Sequence, residues 1–395
     1  MKYVVLILDG AAGLPLPAHD NKTCLEISST PNLDRLAKQG QLVMAATVPP
    51  GMEPSSAVAC MSVMGYDPLK YYKGRAAIEA TSLDIPIGET EVVFRCNLVN
   101  TEGGIMKSYC AGHITSEESG ELIKALNEAL GNNAIRFYPG VGYRHILKLQ
   151  GHLDTLNANT VPPHDISNLP VADYLPKGEG SDFLLRLIQD SRKVLQNHPV
   201  NVKRRKENKI TADSIWLTWG SAKPPLLPTF KEAYGITAAI TSGVDLLRGL
   251  GKMMSMEILE IPGVTDGQDN NCIAQTEGAI EALGRNDLVI VHFEAPDEAG
   301  HAGSIEQKVT AIEKADREMI GTLASYLQGT GRLLIMPDHP TPIELLTHTS
   351  DPVPCLLWGE DIVAGNGSRF TEAQARQAGT IFDPGWHLMK RLVKG

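Results

Sequence analysis

Nowhere in this 395-residue sequence is there a run of the ~18 consecutive apolar residues that a membrane-spanning helix requires. The apolar stretch nearest the start, Tyr3 to Leu8, is six residues long, far short of a secretory signal core, and the expectation is a cytoplasmic protein with no membrane partner. None of the six cysteines, at 24, 60, 96, 110, 272 and 355, forms a Cys-x-x-Cys pair, and a chain of this size does not need disulfides for stability. They read as reduced, mostly buried thiols. Basic residues are too few and too scattered for a nucleic-acid partner, since the formal net charge is −10. The runs "VKRRKENK" (202–209) and the C-terminal "MKRLVKG" are local exceptions, read first as solvated faces. Aromatic residues make up only 5%. There is no internal repeat, no low-complexity segment and no Gly-Lys-Ser/Thr phosphate loop, so an ordinary ATP site is not indicated.

Hydrophobic residues at 43% suffice for a large core, and the length points to two domains, with three as the upper bound. Short apolar runs bounded by turn residues recur: "YVVLILDG", "SIWLTWG", "GITAAIT", "DLVIVHF", "RLLIMPD" and "PCLLWGE". Runs that are apolar on both faces suit strands covered by helices on each side. Helical patterns lie between them. The clearest is 305–328, where Ile305, Val309, Ile312, Met319, Ile320, Leu323 and Leu327 recur at spacings of three or four. Others run from Asp182 to about Leu195 and from Thr30 through "TPNLDRLAKQG". The order of these segments predicts an α/β fold built on a doubly wound, mostly parallel sheet. From Ile87 to Pro176 the candidates "TEVVFRCNLV", "GGIMKSYC" and "YRHILKLQ" are amphipathic, with a helix near 116–130. This predicts a smaller inserted α+β domain at 87–176, with residues 1–86 and 177–395 as the core and "PPHDISNLPVADYLPKGEGSD" as the return linker.

In open α/β sheets functional groups gather at the carboxyl ends of strands. Asp9 follows the first apolar run, Asp297 and His301 follow "DLVIVHFEAP", Asp338 and His339 follow "RLLIMP", and His348 lies in the next loop. One such Asp is commonly a helix cap or a turn residue. Three carboxylates and three imidazoles from separate loops suit Zn²⁺ or Mn²⁺, and six ligands exceed what one tetrahedral ion needs, so two metals are expected. Such a site promotes phosphoryl transfer. The nucleophile candidates are Ser55 and Ser56, in "PPGMEPSSAVACMSVMGYDP", after a Pro/Gly-rich turn and before a stretch of small residues, where a helix cap is the bland alternative.

The strings "ILDG", "TPNLDRLAKQG", "GYDP…YYKGRAAIEA", "FRCNLV", "PPHDI", "IWLTWG", "VDLLRGLG", "HFEAPDEAGHAG", "MPDHPTP" and "HTSDPVP" resemble the archaeal-type, cofactor-independent phosphoglycerate mutases of the alkaline phosphatase superfamily, in consistent order from residue 1 to about 360. The resemblance implies an alkaline-phosphatase-like core with two divalent metal ions, Mn²⁺ or Zn²⁺ foremost and Mg²⁺ allowed, and an inserted domain that closes over the substrate. It assigns Asp297, His301 and His348 to one ion, and Asp9, Asp338 and His339 to the other, shared with the nucleophile. Alignment through "GYDP" makes that nucleophile Ser56. The implied activity is interconversion of 2-phosphoglycerate and 3-phosphoglycerate, a glycolytic isomerase reaction, through a phosphoserine. The partner implied is a small phosphorylated substrate, and a homo-oligomer is left open.

Two departures bear on substrate choice. Ala57 and Cys60 stand where the family usually has Asp and a polar residue such as His or Asn, and "CAGH" (110–113) stands for an Arg-Ala-Gly-Arg segment. Two guanidinium groups are therefore absent, and His or Cys does not reproduce bidentate Arg contacts. The alternative readings are transfer to another small hydroxyl compound, as in a homoserine kinase-like enzyme, and phosphomonoester or phosphonate hydrolysis. Arg75, Arg144, His145, Arg204 and Lys308 are the candidate substrate-binding cations, with Arg75 foremost because it matches a family motif. His292 and Glu294 are expected to be hydrogen-bonded neighbours of the metal segment rather than ligands.

Overall fold

In a computed structural model the described residues are 1–394, and the chain divides into two compact units, Met1–Tyr72 with Leu226–Gly395, and Lys73–Pro225. Twelve strands are present among the described residues: β1 (Lys2–Leu8), β2 (Gln41–Ala45), β3 (Glu91–Val99), β4 (Ile135–Tyr138), β5 (Arg144–Gln150), β6 (Ser214–Ala222), β7 (Ala238–Thr241), β8 (Glu257–Ile258), β9 (Leu288–Phe293), β10 (Gly331–Met336), β11 (Val353–Gly359) and β12 (Ile381–Phe382). No helix among them is long and apolar enough to cross a membrane.

The larger unit is built on an eight-stranded sheet in the order β12-β2-β11-β10-β1-β9-β7-β8. Its pairings are parallel except those of β11 with β10 and β2, which gives the mostly parallel α/β sheet expected from the sequence. Successive residues Val4 to Leu8 are all inaccessible to solvent, as a strand covered on both faces requires. Val4, Leu6 and Leu8 pack with Leu33 and Leu36 of the helix Pro31–Gln39 and with Ile312, Met319 and Leu323. The register matters most for function. Ile7 pairs with Met336 and Leu8 with Phe293, so β10, β1 and β9 end level with one another at the centre of the sheet.

The expected helix at 305–328 is interrupted. α-Helix over Ile305–Ala315 gives way to one π turn, Asp316–Ile320, and resumes at Gly321–Leu327. At the π turn the Asp316 carboxylate accepts from the backbone amides of Asn32 (3.2 Å) and Leu33 (2.8 Å), satisfying two otherwise orphaned donors of the Pro31–Gln39 helix.

The smaller unit holds an antiparallel sheet ordered β4-β5-β3-β6. One face packs on the helices Ser116–Leu130 and Ser181–Leu195 through Phe94, Leu122, Leu184 and Leu217. Its extent, 73–225, is wider than the 87–176 expected from sequence. "SIWLTWG" is β6 of this sheet rather than a core strand, because Ile215 and Leu217 face the helices while Trp216 is covered on the other side by Val99, Met106 and Ile166. A strand buried on both faces reads alike in either sheet. "GGIMKSYC" makes only isolated bridges, Asn100 with Ser108 and Ile105 with Pro170, and the expected return linker forms two short 3₁₀ turns within the unit.

Candidate active site

Because three neighbouring strands stop at one level, whatever follows them converges. Asp9 follows β1, Glu294 follows β9 and Asp338 lies two residues beyond β10. Asp9 is fully buried, with Oδ2 2.6 Å from Nε2 of His292, whose Nδ1 is 3.0 Å from Ser242 Oγ. The Ser242 hydroxyl oxygen accepts from the Val244 amide, which leaves its proton for Nδ1 and the Nε2 proton for Asp9. Asp338 Oδ1 accepts from the amides of Gly10 (3.2 Å) and His339 (2.9 Å), and Oδ2 accepts from the Cys60 thiol at 3.3 Å. Burial, followed by the carboxylates of Asp338 and Asp297, pushes the Asp9 carboxyl well above its ordinary range. Burial and Asp9 do the same to Glu294. Asp9 Oδ1 is buried with no hydrogen-bond partner. An orphaned carboxylate oxygen among crowded acids is the local chemistry that a cation relieves.

His339 Nε2 lies 3.2 Å from Asp338 Oδ2, 3.6 Å from Asp9 Oδ1 and 3.2 Å from Ser56 Oγ. Burial lowers this imidazole to about 4, which keeps it neutral and able to offer a lone pair. Ser56 is the first residue of the helix Ser56–Val63, after Ser55 in extended conformation. Its Oγ therefore sits at the positive end of a helix whose first turns are Ala57, Val58, Ala59 and Cys60.

Asp297 and His301 were expected in a loop. They lie instead four residues apart on one face of a short helix, Ala295–His301, with Oδ2 and Nε2 3.2 Å apart. His348 Nε2 is 2.9 Å from His301 Nε2 and 3.5 Å from Asp297 Oδ1. The outer nitrogens of both rings are held by carbonyls, His301 Nδ1 by Leu346 O (2.9 Å) and His348 Nδ1 by Pro54 O (3.2 Å), which turns both Nε2 atoms inward. Burial raises Asp297, but the two imidazoles outweigh it and hold the carboxyl well below its usual range. Burial lowers His301, and Asp297 carries it back up to about 9. Thr341 Oγ1 donates to Asp297 Oδ1. Gly10, at φ +59°, leaves room for this pair, since a Cβ there would stand 2.4 Å from Asp297 Oδ1 and 2.6 Å from Thr341 Oγ1.

The six expected ligands therefore gather in one cluster, with the three carboxylates and His339 buried and His301 and His348 partly exposed. Two overlapping ligand groups, Asp9–Asp338–His339 and Asp297–His339–His348, have donor atoms within 4.8 Å of one another, and a third is Asp9–Cys60–His292. Oxygen, imidazole and a single sulfur form a donor set that fits divalent cations. Nothing in the residue pattern singled out Thr341 or the inward aim of Cys60. Cys60 was legible in principle, being four residues, about one helical turn, beyond Ser56.

Three of the candidate cations have other work. Lys308 is buried in the larger unit and donates to Ala12 O (3.1 Å) and Thr341 O (2.6 Å), tying together the loops after β1 and β10. Arg204 is buried in the smaller unit, where it pairs with Glu118 and donates to the carbonyls of Ile210 and Ala111. His145 is buried and neutral, pushed down to about 3 by burial and then by Arg95, and its Nδ1 accepts from the Gly140 amide. None of these three presents a charge to a substrate anion. Arg144 lies 5.7 Å from the Tyr143 ring, and Arg75 stacks 4.4 Å from Trp219 with an ion pair to Glu79 at 2.9 Å.

A family model described as 2,3-bisphosphoglycerate-independent phosphoglycerate mutase matches residues 37–201. The chain is 43% identical over 398 residues to the protein of that name from Methanothrix thermoacetophila, covering all of both chains. It is 43% identical over 384 residues to the one from Methanosarcina acetivorans, covering 96% of each. Among solved structures, a Pyrococcus horikoshii protein superposes with a TM-score of 0.82 at 27% identity, over 100% of this chain and 96% of that one. The cofactor-independent phosphoglycerate mutase from Thermoplasma acidophilum shares the fold, with a TM-score of 0.64 at 23% identity over 100% of this chain and 99% of that one. The chain belongs to the 2,3-bisphosphoglycerate-independent phosphoglycerate mutase family.

Proposed function

We propose that this protein interconverts 2-phosphoglycerate and 3-phosphoglycerate, carrying the phosphoryl group on Ser56 between the two. The observation that carries the reading is Ser56 Oγ at a helix N-terminus, 3.2 Å from His339 Nε2 and beside a cluster of acids and imidazoles. On this reading Asp9, Asp338 and His339, with Ser56, hold one divalent ion, and Asp297, His301 and His348 hold a second. Mn²⁺ and Zn²⁺ suit the donors best. When bound, these ions neutralise charge on the phosphoryl oxygens during in-line transfer.

Ser56 Oγ forms a bond to phosphorus as the bond to the glycerate oxygen breaks. The glycerate turns to present its other hydroxyl, and the phosphoryl group returns to that oxygen, restoring the serine. The amides at the start of the Ser56–Val63 helix favour negative charge beside Oγ. The reaction is a glycolytic one in the cytoplasm, with a small phosphorylated molecule as the only partner required.

A second reading, transfer to another small hydroxyl compound such as homoserine, is favoured by one observation. At 110–113 the chain carries a buried Cys110 and a His113 at φ +51°, with no guanidinium in the segment. The test is to supply Mn²⁺ with 3-phosphoglycerate, or with homoserine and ATP, stop the reaction with chelator and follow products by phosphorus NMR. Formation of 2-phosphoglycerate supports the mutase. Phosphohomoserine, or inorganic phosphate alone, refutes it.

A further inference from the structure

Cys60 is the one cysteine among the described residues that falls in a group able to hold a metal ion, and all six are free thiols. It is fully buried, on the same helix face as Ser56, and its neighbours form a measurable figure. Oxygen or nitrogen donors about 2.0–2.1 Å from one ion stand roughly 3.0–3.5 Å apart, and a thiolate at about 2.3 Å stands slightly farther from such donors. The distances found are 3.6 Å for Asp9 Oδ1 to His339 Nε2, 3.2 Å for His339 Nε2 to Asp338 Oδ2, and 3.3 Å for Asp338 Oδ2 to Cys60 Sγ. Donor atoms of Cys60, Asp9 and His292 also lie within 4.8 Å of one another. Each separation is one that two ligands of a single ion can have, Asp9 is common to both ligand groups, and its Oδ1 is buried without a hydrogen-bond partner beside them.

We infer that Cys60 Sγ is a protein ligand of the ion held by Asp9, Asp338 and His339, so that this position takes a borderline thiophilic cation such as Zn²⁺ or Co²⁺ in preference to Mg²⁺. The inference rests on the two-ion reading above. The Cys60 thiol donates to Asp338 Oδ2. With an ion bound, Sγ would donate an electron pair to it and its proton would pass to solvent, as thiol coordination requires. A thiolate is a poor donor for Mg²⁺, which prefers oxygen in octahedral geometry, and a good one for Zn²⁺ and Co²⁺. His292 has a different part. It is hydrogen-bonded on both ring nitrogens and orients Asp9 from behind.

The experiment uses the full-length protein, stripped of metal and titrated with Co²⁺, with bound cobalt measured directly by atomic emission. A thiolate-to-cobalt charge-transfer band in the near ultraviolet is expected in the wild type and in Cys355→Ala, whose sulfur lies in β11 away from the cluster. It is expected to vanish in Cys60→Ser and Cys60→Ala, with far-ultraviolet circular dichroism confirming that they fold. Zn²⁺ affinity should fall by on the order of tenfold or more in Cys60→Ser, as loss of a metal contact does, while Mg²⁺ affinity changes far less. Cobalt bound by the wild type without the band, or a band that persists without Cys60, overturns the inference and leaves the two-ion reading standing. Failure to bind cobalt at all overturns both.

Discussion

Replacing Gly10 by alanine tests the packing of the site without touching a reacting group. Gly10 has φ +59°, where a side chain costs about 1–2 kcal/mol of backbone strain, and the new Cβ would stand 2.4 Å from Asp297 Oδ1, 2.6 Å from Thr341 Oγ1 and 2.8 Å from Asp297 Cα. The last of these is backbone, so the neighbour does not swing away. Forcing extra volume into a packed site adds about 1–3 kcal/mol. Gly10→Ala should therefore destabilise the larger unit by roughly 2–5 kcal/mol, the sum of those contributions. Gly51 is the control in the same unit, at φ +82° with nothing within 4 Å of its Cβ position, so Gly51→Ala should bear the backbone cost alone. Urea unfolding of both variants, followed by tryptophan fluorescence, isolates the contact as their difference. If the two variants lose equal stability within about 0.5 kcal/mol, the typical experimental scatter for independent sites, the close approach of Gly10 to Asp297 is refuted.

Ser56→Ala should abolish phosphoryl transfer yet retain close to the wild-type content of divalent metal, because six other side chains remain to hold it. A loss of metal in step with activity would show Ser56 to be structural. Lys308→Met leaves the Ala12 and Thr341 carbonyls without their donor, and should cost about 1–3 kcal/mol of stability while KM for phosphoglycerate changes less than threefold; a large rise in KM would return Lys308 to the substrate. In the smaller unit, burial pushes Glu79 up, but Arg95 and then Arg75 outweigh it and hold the carboxyl below its ordinary 4.5. A group lowered in the folded state stabilises above its unfolded pKa and loses that contribution as pH falls through the folded value. Hydrogen exchange in β3 should therefore accelerate below about pH 4.5 in the wild type, and Glu79→Gln should flatten that acid response. An unchanged pH profile in Glu79→Gln would remove the ion pair from the account.

The core fold was legible because β1, β9 and β10 are apolar on both faces and end in acids or imidazoles, so the strand signal and the ligand signal coincide in the sequence. The same property misled at β6. Trp216 and Leu217 are buried on opposite sides of an antiparallel sheet, and burial on both faces carries no mark of which sheet a strand joins. Charge was the least transparent feature. Lys308 and Arg204 read as cations free to meet a phosphate, but each is buried against carbonyls supplied by residues distant in sequence, such as Thr341 and Ala111. Ligand types were readable from the strand ends, whereas their orientation was not, because Leu346 O and Pro54 O turn the imidazoles of His301 and His348 from loops with no periodicity of their own.

The central claim is that phosphoryl transfer passes through Ser56. It is tested most directly by mixing the metal-loaded protein with 3-phosphoglycerate labelled in its phosphoryl group, quenching with acid and mapping the labelled peptide. The account predicts label on the peptide carrying Ser56 and in 2-phosphoglycerate, with none exchanged into added inorganic phosphate. Label on another residue, or 2-phosphoglycerate formed while the protein stays unlabelled at every quench time, would contradict it.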